Sequence, residues 1–183
     1  MHYSTALLGL AAIVPSVYGH GEFITPIPRR GGDAYKAACG SAVYDGNAKD
    51  NTTFIEVLTK LATGTNTGYK ADECDLFLCK GRQFADNQAN IYEYKTGQVV
   101  PVKLWIRIPH KGYANVSIVD TTTNKVIGAP LVSWSDYLAD GMNSTYPANN
   151  TDFSFTVPDL KGQCVTAGHC VSCFLFQDAI TSN

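Results

Sequence analysis

The sequence predicts an all-β protein, a β-sandwich with one short helix and long loops. Three observations support this fold class. Apolar and polar residues alternate over several short segments in the second half of the chain, polar turns separate those segments, and a single stretch shows helical periodicity. Short antiparallel strands with one small helix fit two packed sheets better than an alternating arrangement of helices and strands.

Composition limits the class of protein further. The 183 residues are 45% hydrophobic and 16% charged, and 16 acidic against 14 basic residues give a formal net charge of -2. A chain of this length forms one domain and buries roughly two-thirds of its unfolded surface, which is enough for an apolar core. The sequence has no excess of basic residues that would neutralise phosphates. We therefore expect a soluble monomer that binds neither nucleic acid nor membrane.

The first 19 residues are typical of a signal peptide. They contain no Lys, Arg, Asp or Glu, and the apolar run over residues 6–14 ends at Pro15. That run is too short to cross a bilayer. Small residues then lead to a cleavage site between Gly19 and His20, although a buried N-terminal strand or helix is an alternative. The favoured interpretation is a secreted protein whose mature single domain, residues 20–183, begins with His20.

Four glycosylation sequons agree with export. Their acceptors are Asn51, Asn115, Asn143 and Asn149, each followed two positions later by Ser or Thr. Each is an acceptable site in a secreted eukaryotic protein. Because single sequons are common by chance, it is their number that supports the interpretation.

The even number of cysteines predicts up to three disulfide bonds in an oxidising compartment. Fifteen connectivities are open, and Cys74 with Cys79 is the easiest local pair. Cys170 and Cys173 also form a C-x-x-C beside His169, which could be a zinc or redox site. Only one such pair is present, so disulfides are favoured and His169 is expected at the surface. The six candidates are Cys39, Cys74, Cys79, Cys164, Cys170 and Cys173.

The N-terminal half of the mature chain is expected to contain one helix. Residues 20–50 carry several Pro and Gly with little periodicity, which predicts a long ordered loop joined to the core through Cys39. A short amphipathic helix is predicted from Thr53 to Ala62. Thr53 and Glu56 have the spacing of a capping box, and apolar residues recur at helical intervals behind them.

The strands are predicted from alternation with a period of two. The clearest runs from Val99 to Ile108, where every second residue is apolar and faces the core. Another begins at Val116 and turns at residues 121–125. The remaining segments are 125–134, 153–157 and 171–176, the last being apolar enough for a central strand.

Two histidines are candidate metal ligands. At a mature N-terminus, His20 would offer its free amine and its ring Nδ1 to the same ion, closing a small chelate ring. Such nitrogen donors favour copper. His110, at a junction of strand and loop marked by Pro109 and Gly112, could supply a further imidazole and complete a T-shaped site. From position alone, a solvent-exposed turn histidine is the alternative.

Several short segments, spread over nearly all of residues 20–171, add to the evidence from the two histidines. They include the start at His20-Gly21, the Pro-rich stretch to Lys36-Ala-Ala-Cys39-Gly40, Cys74-Asp-Leu-Phe-Leu-Cys79-Lys-Gly81, Phe84-Ala-Asp-Asn87, Pro109-His110-Lys-Gly-Tyr-Ala-Asn115-Val-Ser, Trp134-Ser-Asp136-Tyr137, Pro147-Ala-Asn-Asn150-Thr151, and Pro158-Asp-Leu160 leading to Cys164 and Cys170. Taken together, these segments resemble the lytic polysaccharide monooxygenases, in particular the fungal auxiliary activity family 16.

The resemblance implies a fold and an activity. The fold is an immunoglobulin/fibronectin-like β-sandwich with a flat face, where the His20 amine and ring and the His110 ring hold copper as metal-binding and catalytic residues. The activity is oxidative cleavage of crystalline polysaccharide, cellulose in the characterised branch, at the C1 carbon. It would use an external electron donor and O2 or H2O2. A flat face can meet a crystal surface that no cleft could enclose.

The C-terminal segment departs from the family pattern from Cys173 onward. Family members continue with an aromatic-rich run, an axial Tyr or Phe and a final cysteine. The glutamine that the resemblance leads us to expect near Cys173 is also replaced. The aromatic residues present here, Phe174 and Phe176, fall in an apolar run where core packing is expected. We therefore expect copper binding by the two histidines but an impaired enzyme that lacks the axial aromatic.

Two other functions remain open. One is a non-catalytic secreted copper-binding protein with the same histidine brace, and the other is a carbohydrate-binding sandwich without metal turnover. Tyr113 and Phe23 are candidate contacts to sugar rings, whose apolar faces stack on aromatic side chains. Packing in the core is the alternative for both residues.

Overall fold

Two antiparallel three-stranded sheets and three α-helices make up the described part of the protein. The computed structural model describes residues 20–48, 50–138, 145–166, 168 and 170–178, and only the backbone of His20 and residues 171–178. The predicted signal peptide lies outside the described residues. The elements are β1 His20–Thr25, α1 Asp33–Cys39, α2 Ser41–Ala48, α3 Ile55–Ala62, β2 Val99–Ile108, β3 Gly112–Asp120, β4 Lys125–Tyr137, β5 Asp152–Thr156 and β6 Cys170–Asp178.

The predicted mainly-β fold is confirmed. One sheet has the strand order β1-β2-β5 and the other β4-β3-β6. Alternation in β2 has the predicted consequence over most of the strand, since Val100, Val102 and Leu104 are buried and Trp105 on the opposite face is exposed. The prediction is wrong for Ile108, which is exposed at the end of the strand. β6 was expected to be a central strand. That expectation is wrong within the described residues, where β3 is central and β6 pairs with β3 alone.

An apolar cluster joins the two sheets. Leu131 and Val132 of β4 pack against the buried side chains of β2 and β5. Trp134 of β4 contacts Phe153 of β5 edge to face, with ring centroids 4.8 Å apart. Aromatic pairs in this geometry add to the stabilisation from burial alone. Phe23 of β1 packs on the same cluster, so its expected role as a surface contact is not supported.

The expected loop over residues 20–50 is wrong, because this segment forms β1, α1 and α2. Helix α1 begins without a capping side chain of its own. Instead, the Asp86 carboxylate accepts hydrogen bonds from the backbone N–H groups of Gly32, Ala34 and Tyr35 at 2.8–2.9 Å. These are orphan donors of the first helical turn, and a carboxylate is their most favourable partner.

Helix α3 was predicted correctly, but its capping box was not. The helix begins at Ile55, and its N-cap, Phe54, makes no side-chain cap hydrogen bond. The Thr53 hydroxyl lies within hydrogen-bond distance of the carbonyls of Gly46 and Asp50 instead. Thr53 therefore fastens the loop before α3 to the end of α2.

Disulfide bonds form with a different pairing from the expected local one. Cys39 is bonded to Cys74 and Cys164 to Cys170, so the suggested pair of Cys74 with Cys79 is wrong. Cys79 is also disulfide-bonded. The side chain of Cys173 lies outside the described residues. The bond between Cys39 and Cys74 joins α1 to the loop before β2 within one buried cluster.

A tight left-handed turn over Cys79, Lys80 and Gly81 carries a buried cation. All three residues have positive φ, and a Cβ at position 81 would collide with Cys74 Sγ, so only glycine fits there. The Lys80 Nζ donates to the carbonyls of Asn51 at 2.9 Å and Thr53 at 2.7 Å. The turn thereby holds the loop that precedes α3.

Among the described residues, no helix has the length and hydropathy that crossing a membrane requires.

Replacing Asp86 tests the remote cap of α1. The substitution Asp86→Ala leaves three backbone N–H groups without their acceptor, so it is expected to lower the free energy of unfolding by about 2–3 kcal/mol. Urea unfolding measures this change. Asp33→Ala is the matched control, because Asp33 is an exposed carboxylate in the first turn of the same helix. Equal effects of the two substitutions would contradict the capping role.

Lys80 gives the stability a defined dependence on pH. The pKa of Lys80 is lowered from 10.5 to about 8, mainly by burial and to a smaller extent by Arg82, while Asp50 and Glu22 oppose the shift. Between pH 8 and 10.5 the folded protein has released a proton that the unfolded chain still holds, so the free energy of unfolding rises with pH. The rise attributable to Lys80 is roughly 1–3 kcal/mol. The free energy of unfolding of Lys80→Met, measured over the same pH range, is expected to lack this rise. Parallel pH profiles of the wild type and the variant would refute the assignment to Lys80.

Candidate metal centre

Strand pairing brings the two candidate ligands to the same end of one sheet. β1 runs antiparallel to β2, and its first residue, His20, pairs with Ile108, the last residue of β2. His110 follows two residues later, in the connection to β3. The backbones of both histidines therefore lie at one edge of the protein, although the side chain of His20 lies outside the described residues.

His110 is not the solvent-exposed turn histidine considered as the alternative. Its side chain is buried, with 6% of the residue exposed, and Pro109 before it is buried as well. The ring nitrogen Nε2 is inaccessible to solvent and has no hydrogen-bond partner among the described residues. Buried polar atoms are nearly always paired, and functional sites are a recognised exception. An unpaired imidazole nitrogen is a donor suited to copper or zinc.

A satisfied polar pair supports the protein next to this histidine. Tyr137, whose backbone pairs with Gly112, donates its hydroxyl proton to the Asn150 carbonyl at 2.8 Å. The backbone N–H of Leu138 donates to the Asn150 Oδ1 at 2.9 Å. Burial raises the pKa of Tyr137, which keeps its hydroxyl protonated as a donor. Sequence reasoning assigned no role to Asn150, which is 2% exposed, although it lies in a sequon and in one of the segments that resemble the family.

Tyr113, three residues after His110, is an exposed aromatic residue. Tyr113 is 43% exposed, so a contact to sugar is open to it and remains a prediction. Lys111 and Asp136 form an exposed ion pair, with Nζ 3.6 Å from Oδ1. Ile108 is also exposed. His110 lines neither a cleft beside Asn51 nor a second cleft that residues within 127–131 and 156–163 line.

The backbone of β6 passes the same region. Tyr113 pairs with Gln177, and Ala114 with Phe176. Position 174 lies opposite Val116. Both Ala114 and Val116 are buried. The side chains of Phe174 and Phe176 lie outside the described residues, so their expected core packing stays a prediction.

The described glycosylation candidates differ in their exposure. Asn51 and Asn115 are half-buried and Asn149 is exposed. Asn143 and His169 lie outside the described residues. A search for three or more His, Cys, Asp or Glu side chains that could hold a metal found no such group within the described residues.

Comparison with known proteins does not assign this chain to a family. No protein-family model matches this chain, and no curated protein sequence matches it significantly.

Removing the unpaired nitrogen of His110 tests whether it is there for stability. A buried donor or acceptor without a partner costs about 1–3 kcal/mol, so His110→Phe is expected to leave the metal-free protein at least as stable as the wild type. Thermal unfolding in the presence of a chelator measures this. Leu138→Ala, a nearby buried control, is expected to cost about 2–4 kcal/mol. A loss on His110→Phe as large as that of the control would assign His110 to the structural core.

Proposed function

We propose that this protein is a secreted copper-dependent lytic polysaccharide monooxygenase that cleaves crystalline polysaccharide, most simply cellulose with oxidation at C1, with an activity reduced by its altered C-terminal segment. The observation that carries the proposal is the buried, unpaired Nε2 of His110 at the edge where β1 begins with His20. The sequence segments shared with auxiliary activity family 16 support the same assignment.

The residues present fit a copper ion held by nitrogen. Removal of residues 1–19 gives His20 a free amine, so the His20 amine and ring would supply two donors and His110 Nε2 the third. Bound copper would supply one-electron redox chemistry with O2 or H2O2, drawing on an external electron donor. The chain itself contributes a ligand that is already desolvated and that forfeits no hydrogen bond of its own on binding a metal.

The supporting residues act by holding that ligand in place. Asn150 is hydrogen-bonded to Tyr137 and Leu138 at the end of β4. Pro109 restricts the backbone next to His110. Groups of this kind tune metal affinity by roughly 10–100-fold even though they do not touch the ion. An immunoglobulin/fibronectin-like sandwich is the proposed framework, supported by two antiparallel sheets that pack through Leu131 and Val132.

The proposed substrate contact is the exposed surface beside the metal centre. The ring of Tyr113 is available for stacking on the apolar face of a sugar, and the ion pair of Lys111 with Asp136 offers hydrogen-bonding groups close by in sequence. An exposed aromatic on an open surface suits an insoluble chain, because a solid substrate cannot enter a cleft.

The decisive experiment compares copper binding with and without a free His20 amine. Protein that begins at His20 is expected to bind one copper ion tightly, with affinity falling on acidification, because copper displaces the proton of an α-amino group whose pKa is near 7.7–8.0. One alanine added before His20 removes that donor and is expected to abolish tight binding. Isothermal titration measures both proteins, and equal affinities would refute the proposed brace.

Product analysis separates the enzyme from the two alternatives. With a reductant present, the copper-loaded protein is expected to release C1-oxidised oligosaccharides from microcrystalline cellulose, while His110→Phe releases none. Copper binding without oxidised products would favour a non-catalytic copper protein. Cellulose binding without copper binding would favour a sugar-binding module. Tyr113→Ala is expected to weaken adsorption to cellulose and to leave copper stoichiometry unchanged.

A further inference from the structure

A small polar cleft lies between the helices and the loop that carries Asn51. It has a volume of about 190 Å³ and is lined by Arg30, Gly31, Tyr35, Tyr44, Asn47, Ala48 and Asn51. Arg30 and Ala48 are exposed, so the cleft opens to solvent at one side. Pockets for drug-sized ligands measure roughly 300–1,000 Å³, so this cleft suits a single small ring.

Asn51 is held in one orientation at the wall of this cleft. The Arg82 Nη2 donates to the Asn51 Oδ1 at 3.2 Å, and Lys80 Nζ donates to the backbone carbonyl of the same residue at 2.9 Å. Its amide Nδ2 makes no hydrogen bond to any described residue. The same Arg82 nitrogen donates to Asn47 Oδ1 at 3.2 Å, so one guanidinium supports two residues that line the cleft.

The loop around Asn51 is fixed by the other residues of its sequon. Thr52 donates through its backbone N–H and its hydroxyl to Asp50 Oδ1, at 2.9 and 2.5 Å. The Thr53 hydroxyl reaches the carbonyls of Gly46 and Asp50. A group attached at Asn51 Nδ2 would therefore start from a rigid base beside a preformed cavity.

The other described sequons lack such a setting. Asn115 lies in β3, paired with strands on both sides, and its Oδ1 accepts a hydrogen bond from the Ser117 hydroxyl at 2.7 Å. Asn149 is exposed in a short turn before β5. Neither residue lines the Asn51 cleft or the second cleft.

We propose that Asn51 carries an N-linked glycan whose first N-acetylglucosamine occupies the cleft, an inference that rests on the proposed export. In the transfer, Asn51 Nδ2 attacks the anomeric carbon of a lipid-diphosphate-activated oligosaccharide. The C–N bond forms, the bond from that carbon to the phosphate oxygen breaks, Nδ2 loses a proton and the lipid diphosphate leaves. In the folded protein, the half-buried Tyr44 offers aromatic surface to the sugar ring, and the exposed Arg30 offers polar groups to its substituents.

The test compares Asn51→Gln with wild type in two hosts. In a yeast secretory host, with the host's own leader placed before His20, export does not depend on residues 1–19. Endoglycosidase H then trims each glycan to one N-acetylglucosamine. Peptide mass spectrometry is expected to find Asn51 modified, and Asn51→Gln is expected to lower the melting temperature of the trimmed protein by roughly 3 °C or more. A bacterial periplasmic host adds no such sugar, so in protein from that host the same substitution is expected to lower the melting temperature clearly less.

The control variant is Asn149→Gln, which removes a sequon that lines neither cleft and is expected to change the melting temperature little in either host. The proposal would be overturned if Asn149 were modified and Asn51 were not. It would also be overturned if Asn51→Gln lowered the melting temperature equally in both hosts. These measurements are made on metal-free protein, so failure of the copper proposal leaves them unaffected, and the reverse also holds.

Discussion

The pairing of β1 with β2 determines where the candidate metal centre can form. Because the strands are antiparallel, the start of β1 must lie against the end of β2, next to the connection that carries His110. Phe23 packs on the core and pairs with Leu104, which anchors the register. A Cβ on Gly21 would lie 2.9 Å from the Trp105 carbonyl oxygen, so glycine permits the close approach of the two backbones.

Buried polar groups near this end of the sheet are of two kinds: those with hydrogen-bond partners among the described residues and those without. Asn150 accepts from Tyr137 and from the backbone of Leu138, so its burial is compensated and fixes the backbone. His110 Nε2 is buried with no such compensation among the described residues. A protein that needed only a well-packed turn would gain stability from an apolar residue at this position. The proposed role of His110 as a metal ligand would account for this cost.

Features set by local sequence were predictable here, whereas those set by distant partners were not. Alternation in β2 and the apolar face of α3 depend on neighbouring residues, and both were predicted. Helix α1 was missed because its first turn is capped by Asp86, more than 50 residues away. Cys39 joins Cys74 for the same reason, since helix packing and not proximity in sequence selects the pair. Ligand chemistry suggested His20 and His110 as partners and the family resemblance favoured them, but composition and periodicity do not reveal the strand pairing that brings their backbones to the same end of the sheet.

The loop of Asn51 and the candidate metal centre are connected through β2. Asp50, next to Asn51, forms an ion pair with Arg107, which precedes Ile108 at the end of the strand. This pair is partly exposed, so it contributes little to stability by itself. Its consequence is geometric, because it ties the loop held by Lys80 and Arg82 to the strand end that pairs with His20. A sugar that fills the cleft at Asn51 would therefore lie on a loop that is connected, through Asp50 and Arg107, to the end of β2 that pairs with His20.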